Sequence, residues 1–337
     1  SIMAKKTSLF SNFMVFFNAV LLGALFLLMG DYFSIKGLLP GVLVPVLSFI
    51  NFIFFLYWIL RMRWPFLLFV IFFLLNFQEW NRLYKFPNNT IKVSEGFKIM
   101  SYNVRLFNQF KWLNEEQIPL KIEQFIQSEN PDIVCLQEYS SRTSPAFESY
   151  PYRYVRTASA LGNNGVGIFS KYPLLRTGPI DFEDSANSGV YADIEYRRDT
   201  LRVYNLHLES FQLQPSDSLI DQTTSTRFLQ RLDGVYQKQL NQIVQWQQVE
   251  NFNEYPSLVC VDMNNTAFSK AYLNLRGRHQ DAFVEAGEGF GATYSLGGIP
   301  YRIDFIFSPS RLQVLEYTTH DVLFSDHKPI SAKLNWD

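Results

Sequence analysis

Two uninterrupted apolar runs near the start of the chain constrain its fold more than any other feature. Phe13 to Met29 covers 17 residues and Leu38 to Leu60 covers 23, and neither run contains a formally charged side chain. Because about 20 apolar residues in a helix cross the hydrocarbon layer of a membrane, both runs predict transmembrane helices. A third run, Trp64 to Phe77, has 14 residues and predicts either a third span or a segment at the membrane interface.

The third run decides on which side of the membrane the rest of the chain lies. Three spans place the two ends of residues 1–85 on opposite sides, whereas two spans place them on the same side. The positive-inside tendency assigns four basic residues to the cytoplasm, Lys5, Lys6, Arg61 and Arg63. The opposite side then holds Lys36, Arg82, Lys85 and Lys92. We favour three spans in a bacterial inner membrane, with the remainder of the chain in the periplasm.

The distribution of charge divides the chain into two parts. Residues 1–96 carry eight Lys/Arg and three Asp/Glu, whereas residues 97–337 carry 22 and 28, an excess of six acidic side chains. A protein that binds nucleic acid through many phosphates usually has a basic face, so this balance disfavours a general nuclease. We therefore predict a membrane region at 1–85, a linker at 86–97 and a separate domain at 98–337.

Short β-rich runs recur through residues 98–337, with helical stretches between them. The runs are FKIMSYNV, DIVCLQE, GVGIFSKY, LRVYNLHL, SLVCVDM and RIDFIFS. Glu115–Ser128 and Phe228–Val249 have the period of amphipathic helices, and the polar stretch Phe211–Thr226 predicts a long surface loop. Strands that alternate with helices predict a layered α/β domain.

Polar and ionisable residues stand at the ends of these strands. In chain order they are Asn103, Glu138, His207, Asp262, Asn264, Asp304, Asp326 and His327. A single Asn or Asp after a strand is usually a turn residue or a helix cap. Together, however, the set offers carboxylates that suit Mg²⁺ or Mn²⁺, imidazoles that can donate to a phosphate, and amides that can orient oxygen atoms.

Six motifs in this order resemble the endonuclease/exonuclease/phosphatase superfamily. They are SYNVR, CLQE, YNLHL, VDMNN, RIDFIF and SDHKP, and they run the length of residues 98–337. The resemblance implies a four-layered α/β sandwich, in which two packed β-sheets are flanked by helices, and a metal-dependent phosphoesterase activity. The chain departs from the family pattern at Val261, where the family has Gly, and at Ala267, where a Pro often stands.

The resemblance also implies a metal site. Glu138 is the expected primary ligand of Mg²⁺, with Mn²⁺ as the alternative ion. Asn103 and Asp326 would complete or border this site and leave positions open for water or a phosphate oxygen.

The remaining residues would act on the substrate. Asp262 would accept a proton from the attacking water, and Asn264 would orient that water or a phosphate oxygen. His327, paired with Asp304, would be held protonated against a non-bridging oxygen. His207 is the candidate general acid for the leaving oxygen. The expected substrate-binding set is Asn103, His207, Asn264 and His327.

Three functions are open at this point. The first is a membrane-tethered hydrolase of a lipid-linked phosphodiester or phosphomonoester, favoured by the apolar runs, the acidic body and the aromatic pairs Tyr32/Phe33 and Trp80/Tyr84. The second is a tethered nuclease that acts on DNA or RNA with the same catalytic set. The third is an inactive membrane scaffold. The sequence identifies no protein partner, and it does not tell whether the helices only anchor the chain or also admit a lipid.

The other candidate reactive residues predict structural roles. Cys135 and Cys260 each lie inside an apolar run, which is typical of buried core side chains rather than of a disulfide or a zinc site. His279 and His320 match no family motif, and we expect them to be surface or structural residues.

Overall fold

The computed structural model describes residues 2–30, 39–87, 95–157, 164–211, 222–249 and 252–336. These residues form two compact units. Residues 1–84 together with 267–270 form the first, which we call the helical unit. Residues 85–266 together with 271–337 form the second, which we call the sandwich unit.

The helical unit contains α1 (Ile2–Met29), α2 (Leu39–Leu60), α3 (Phe66–Leu75) and α4 (Phe77–Trp80). Within the first two helices, Leu9–Met29 and Pro40–Leu60 each have 21 residues and are apolar enough to cross a membrane. An α-helix of this length extends about 32 Å, close to the thickness of the hydrocarbon layer. These two helices indicate that the protein associates with a membrane.

The third apolar run forms a shorter helix than a span requires. α3 has 10 residues, which corresponds to about 15 Å, half the thickness of the hydrocarbon layer. Pro65 precedes the helix, and Asn76 ends it with φ −113° and ψ 25°. Within the predicted span at 64–77, residues 66–75 are helical, and both the crossing and the side of the membrane stay predictions. Tyr32, Phe33, Lys36 and Lys92 of the topology argument lie outside the described residues.

In its described residues, the sandwich unit contains two six-stranded sheets, a small hairpin and four α-helices. Its strands are β1 (Phe97–Asn103), β2 (Ile133–Tyr139), β3 (Tyr152–Thr157), β4 (Gly165–Ser170), β5 (Leu174–Asp181), β6 (Ser188–Tyr196), β7 (Asp199–His207), β8 (Ser257–Asp262), β9 (Gln280–Asp281), β10 (Tyr294–Leu296), β11 (Ile299–Tyr301), β12 (Asp304–Ser308), β13 (Leu312–Thr319) and β14 (Ile330–Trp336). Its helices are α5 (Ile118–Glu129), α6 (Gln222–Gln247), α7 (Lys270–Arg276) and α8 (Ala282–Ala286). Sheet I has the order β13-β14-β1-β2-β4-β3, sheet II has the order β5-β6-β7-β8-β12-β9, and β10 pairs with β11.

Strand direction determines which residues meet at one edge of each sheet. β1 and β2 are parallel, as are β7 and β8, so the carboxyl ends of each pair lie side by side. β12 runs antiparallel to β8, which places its first residue, Asp304, opposite Asp262, the last residue of β8.

Apolar side chains fill the space between the sheets and cover both outer faces. The inner faces contribute buried residues from both sheets, including Ile99, Ile133, Cys135, Ile168, Val190, Val203, Leu258, Cys260 and Ile306. Three buried isoleucines of α5 pack on the outer face of sheet I. On sheet II, the rings of Trp246 (α6) and Tyr204 lie 5.4 Å apart, and those of Tyr272 (α7) and Phe305 lie 5.3 Å apart. These four layers confirm the predicted fold class.

The two helices predicted from periodicity are present with shifted bounds. α5 begins at Ile118 rather than Glu115, because Gln117 has a left-handed φ of 61° and a proline occupies the first helical turn. α6 begins at Gln222, inside the stretch predicted as a loop at Phe211–Thr226. Residues 212–221 of that stretch lie outside the described residues.

A buried ion pair joins β6 to β7 on the outer face of sheet II. Arg202 is fully buried and donates from Nε and Nη2 to Asp193, at 2.6 and 2.9 Å. Asp193 also accepts a bond from Arg176 Nε at 2.8 Å. The guanidinium carbon of Arg202 lies 4.6 Å from the ring centroid of Tyr191. Removal of Arg202 would leave the buried Asp193 with the partly exposed Arg176 in place of its buried partner.

We expect Arg202→Met to lower the free energy of unfolding of the sandwich unit by about 3 kcal/mol, because Asp193 would lose its buried partner. Urea denaturation of the full chain in detergent, followed by tryptophan fluorescence, measures this change. Arg176→Met is the matched control and should cost about 1 kcal/mol or less, because Arg176 is partly exposed. Equal losses in the two variants would contradict the account.

Candidate active site

Four predicted site residues meet where the strands of the two sheets begin or end. Asn103 ends β1, His207 ends β7, Asp262 ends β8 and Asp304 begins β12. His207 and Asp304 lie directly opposite Asp262 in the ladders on either side of β8. All four side chains are buried.

Glu138 joins this group through an irregularity in β2. The register between β2 and β4 shifts between Leu136 and Tyr139, and Glu138 has a left-handed φ of 47°. An extra residue in a bulge turns one side chain away from the regular alternation. Such a conformation costs about 1–3 kcal/mol in a non-glycine residue, and it persists where surrounding contacts enforce it.

Asn103 links carboxylates that belong to different sheets. Its Nδ2 donates to Glu138 Oε1 at 2.9 Å and to Asp262 Oδ2 at 2.7 Å. Its Oδ1 accepts a bond from the backbone N–H of Arg105 at 3.0 Å, and a backbone N–H can only donate, so the orientation of the amide is defined. Asn103 thus presents its NH₂ group to Glu138 and Asp262, and its assignment to the metal site stays a prediction.

Asp262 is the central buried carboxylate of the site. Its Oδ1 accepts a bond from the backbone N–H of Asn264 at 3.0 Å, and its Oδ2 accepts the bond from Asn103. Burial raises the pKa of Asp262, since the charged form loses contact with water, while His327 opposes that rise. The side chain is thus a better proton acceptor than an exposed carboxylate.

His327 forms a hydrogen-bonded pair with Asp304. His327 Nδ1 lies 2.9 Å from Asp304 Oδ2, and His327 Nε2 lies 3.7 Å from Asp262 Oδ2. Burial disfavours the imidazolium, but the carboxylates of Asp304 and Asp262 outweigh burial and raise the pKa of His327 well above its usual value. The ring of Tyr294 packs on the imidazole, with the ring centroids 5.1 Å apart.

His207 lies between two carboxylates without bonding to either. Its Nε2 is 3.7 Å from Asp262 Oδ2 and 3.9 Å from Glu138 Oε1, and this buried nitrogen has no hydrogen-bond partner among the described residues. The three side chains each offer one ligand atom, and these atoms lie within 4.8 Å of one another. The carboxylate of Glu138 is the kind of ligand that Mg²⁺ prefers, and its partial exposure leaves room for the waters that Mg²⁺ retains, while the Nε2 atom of His207 is left to donate to a substrate oxygen.

Asp326 and Asn264 each have a partner in the protein. Asp326 Oδ2 pairs with Arg105 Nη1 at 3.1 Å, and Asp326 belongs to neither group of clustered ligands found among the described residues. Asn264, with φ 51°, donates its Nδ2 to Leu208 O at 3.0 Å. This bond joins the loops that follow β8 and β7. The assignments of Asp326 to the metal and of Asn264 to a water or phosphate oxygen stay predictions.

Sequence reasoning did not identify Arg105 or Tyr294 as site residues. Arg105 belongs to the SYNVR motif, and its position two residues after Asn103 was an available signal. Its guanidinium carbon lies 4.3 Å from the ring centroid of Trp112. Tyr294 lies in a short, partly exposed hairpin, which has no periodic signal in the sequence.

The residues predicted to be structural have structural partners. Cys135 and Cys260 are buried and free, which confirms that they are core side chains. His279 contacts Ser257 at 2.9 Å and His320 contacts Ser331 at 2.8 Å. Val261, the departure from the family glycine, keeps regular pairing on both sides and does not disturb the ladder.

Comparison with known proteins identifies the family and the fold. The sequence profile of the Endonuclease/Exonuclease/phosphatase family matches residues 100–327. A solved structure of a family protein from Bacteroides thetaiotaomicron is 14% identical, with a TM-score of 0.56, and the match covers 72% of this chain and 98% of that one. A structure from Bacteroides vulgatus is 18% identical, with a TM-score of 0.53 and coverage of 72% and 100%. The human nocturnin catalytic domain with bound sulfate is 15% identical, with a TM-score of 0.54 and coverage of 74% and 97%.

At these identities the solved structures support the fold alone. No curated protein matches the chain by sequence.

We expect Mg²⁺ or Mn²⁺ to raise the thermal unfolding midpoint of the sandwich unit, because a cation that binds only the folded state stabilises it. Glu138→Gln should abolish this shift, since a neutral amide replaces the open carboxylate. Circular dichroism melts of the full chain, with and without metal, measure it.

Asp326→Asn is the matched variant for this experiment. It should retain most of the metal-induced shift, because Asp326 pairs with Arg105. An equal loss in both variants would place Asp326 among the ligands after all, and a wild-type protein that does not respond to metal would contradict the cation site.

Proposed function

The chain belongs to the endonuclease/exonuclease/phosphatase family, whose members hydrolyse phosphate esters, and we propose that it is a membrane-tethered, Mg²⁺-dependent phosphoesterase of a lipid-linked phosphate ester. One observation carries the chemical part of the proposal. Asp262 lies between two imidazoles, with the Nε2 atoms of His207 and His327 each 3.7 Å from its Oδ2. The carboxylate of Asp262 can accept a proton, and the two imidazoles beside it can donate protons.

Hydrolysis would proceed by in-line attack of water on phosphorus. Asp262 accepts the proton of the water as the new bond to phosphorus forms, and its burial favours the protonated product. The bond from phosphorus to the leaving oxygen breaks on the opposite side, and His207 donates a proton to that oxygen. No covalent intermediate with the protein is required.

The negative charge that develops on phosphorus needs fixed positive partners. His327, held charged by Asp304, lies where it can donate to a non-bridging oxygen. A divalent cation, when bound by Glu138 and its neighbours, supplies further neutralisation of the phosphate oxygens. Asn103 orients Glu138 through the bond from its amide, so the carboxylate is in place before the substrate arrives.

Exposed aromatic side chains near Arg105 support an apolar substrate. Trp112 is 43% exposed and Phe110 is 59% exposed, with their ring centroids 5.4 Å apart. Trp112 also donates from Nε1 to Arg105 O at 3.2 Å. The aromatic pair thus contacts Arg105, which in turn pairs with Asp326. The acidic excess of residues 97–337 disfavours a polyanionic nucleic acid.

The membrane attachment gives the second part of the proposal. We propose that α1 and α2 span the inner membrane of a bacterium and that residues 64–77 cross it again where the bilayer is thinned, which places the sandwich unit in the periplasm. Ile71, Leu74 and Leu75 of α3 are 54%, 67% and 69% exposed, and apolar side chains at this exposure suit contact with lipid better than with water.

A substrate panel tests the activity. The full chain in detergent with Mg²⁺ is offered phosphatidylcholine and sphingomyelin vesicles, bis(4-nitrophenyl) phosphate, and single- and double-stranded DNA. We expect lipid hydrolysis that falls by about 100-fold or more in Glu138→Ala and in His327→Ala, because each removes a group that acts in the transition state.

Trp112→Ala is the control for substrate class. It should raise KM for the lipid and leave the hydrolysis of bis(4-nitrophenyl) phosphate unchanged. Nicking of DNA without lipid turnover would replace the lipid proposal with the nuclease alternative. Absence of turnover on every substrate would favour the inactive scaffold.

Protease added to spheroplasts tests the topology. We expect the sandwich unit to be digested while the membrane is intact, because three spans leave it outside the cytoplasm. A cytoplasmic protein that stays whole is the control for leakage. If the sandwich unit is digested only after detergent is added, the unit lies in the cytoplasm and the proposed third span is wrong.

A further inference from the structure

The ladder between β7 and β8 ends at the residues proposed to carry out hydrolysis. His207 and Asp262 form its last pair, and Leu208 N donates one further bond to Asp262 O at 2.9 Å. Beyond this point the strands give way to two loops, 208–211 and 263–266. The carbonyl groups of these loops need partners other than the ladder.

Gln239 on α6 supplies those partners. Its side chain is fully buried, and its Nε2 donates to Glu209 O at 2.8 Å and to Met263 O at 3.1 Å. Its Oε1 accepts a bond from Asn265 Nδ2 at 3.0 Å. One amide therefore bonds to both loops, and each of its polar atoms is used.

The chemistry of the amide is specific to this position. A carboxamide has two N–H donors and one oxygen acceptor on the same planar group. A methionine of similar length has no donor, so it would remove the bonds to the carbonyl oxygens of Glu209 and Met263. A glutamate would place a carboxylate, which has no N–H donor, beside the same two carbonyl oxygens. The position thus requires the donors of Gln239 as well as its volume.

We propose that Gln239 is a positioning residue that sets the separation of His207 from Asp262. Glu209 is two residues after His207, and Met263 follows Asp262 directly, so the bonds of Gln239 act close to both groups. The neighbouring Gln242 accepts a bond from Glu209 N at 2.9 Å, which restrains the first loop from the same helix. The proposal rests on the proposed hydrolytic roles of His207 and Asp262.

Gln239→Met in the full chain tests the proposal with bis(4-nitrophenyl) phosphate and Mg²⁺. We expect kcat to fall by about 10- to 100-fold, because small displacements of catalytic groups have effects of this size. KM should change by less than about threefold, since the substrate contacts of the site are retained.

Hydrogen exchange gives a second readout that needs no substrate. Amides in 208–209 and 263–265 should exchange faster in Gln239→Met, while those of β6 and β12 keep their wild-type rates. This measurement separates failure of the proposal from failure of the proposed function. Unchanged exchange in both loops overturns the proposal even if the protein hydrolyses no phosphate ester.

Gln245→Met is the matched control. Gln245 lies on the same helix and its Oε1 accepts a bond from Glu183 N at 3.1 Å, but it bonds to neither loop. It should leave kcat within about twofold of the wild type. An equal fall of kcat in the control, or an unchanged kcat in a folded Gln239→Met, refutes the positioning role.

If Gln239→Met does not fold, the variant Asn265→Ala tests the proposal instead. It removes the bond to Gln239 Oε1 and leaves both donors of Gln239 in place. The Gln239 amide would lose one of its hydrogen bonds, so kcat should fall by a smaller factor than in Gln239→Met. KM should not rise by a matching factor. An unchanged kcat in this variant would overturn the proposal.

Discussion

A buried amide two residues before His207 joins the two sheets that together form the site. Asn205 on β7 donates its Nδ2 to the carbonyl oxygens of Leu136 and Gly167 at 2.9 and 2.8 Å, and its Oδ1 accepts a bond from Gln137 Nε2 at 2.7 Å. Both amide side chains are fully buried, so loss of these bonds would leave polar groups without water. Because each sheet supplies part of the site, a slip of one sheet against the other would separate the groups that act together.

Several residues close to the site have left-handed backbone. Arg105–Asn108 has four consecutive positive φ values between 43° and 60°, and Glu138 and Asn264 have 47° and 51°. Each such residue is costly unless tertiary contacts compensate. Phe107 is buried in the core on the outer face of sheet I, and its ring centroid lies 5.5 Å from that of Tyr139. This packing stabilises the segment Arg105–Asn108. The core under sheet I thus stabilises the loop that presents Arg105.

The sequence predicts the strand ends at which the candidate site residues lie, because polar residues border apolar runs directly. Asp262 ends a run of buried side chains and Asp304 begins another, so these two residues mark the edge of sheet II, while their roles stay predictions from the family resemblance. Strands such as β5 and β13 mix exposed and buried residues and give a weaker signal. The pairing of Arg105 with Asp326 and the left-handed φ of Glu138 depend on the paths of loops and on tertiary packing, which leave no periodic pattern in the sequence.

Asp304 and Asp262 lie opposite each other in an antiparallel ladder, although 41 residues lie between them in the chain. Between them the chain forms α7, β9, α8 and the β10–β11 hairpin, and β9 joins sheet II beside β12. An insertion at the turn of this hairpin, at Gly297 and Gly298, would alter the surroundings of Tyr294, whose ring packs on His327, without interrupting the ladder that pairs the two carboxylates. The turn can therefore vary during evolution while the pairing of Asp262 with Asp304 is kept.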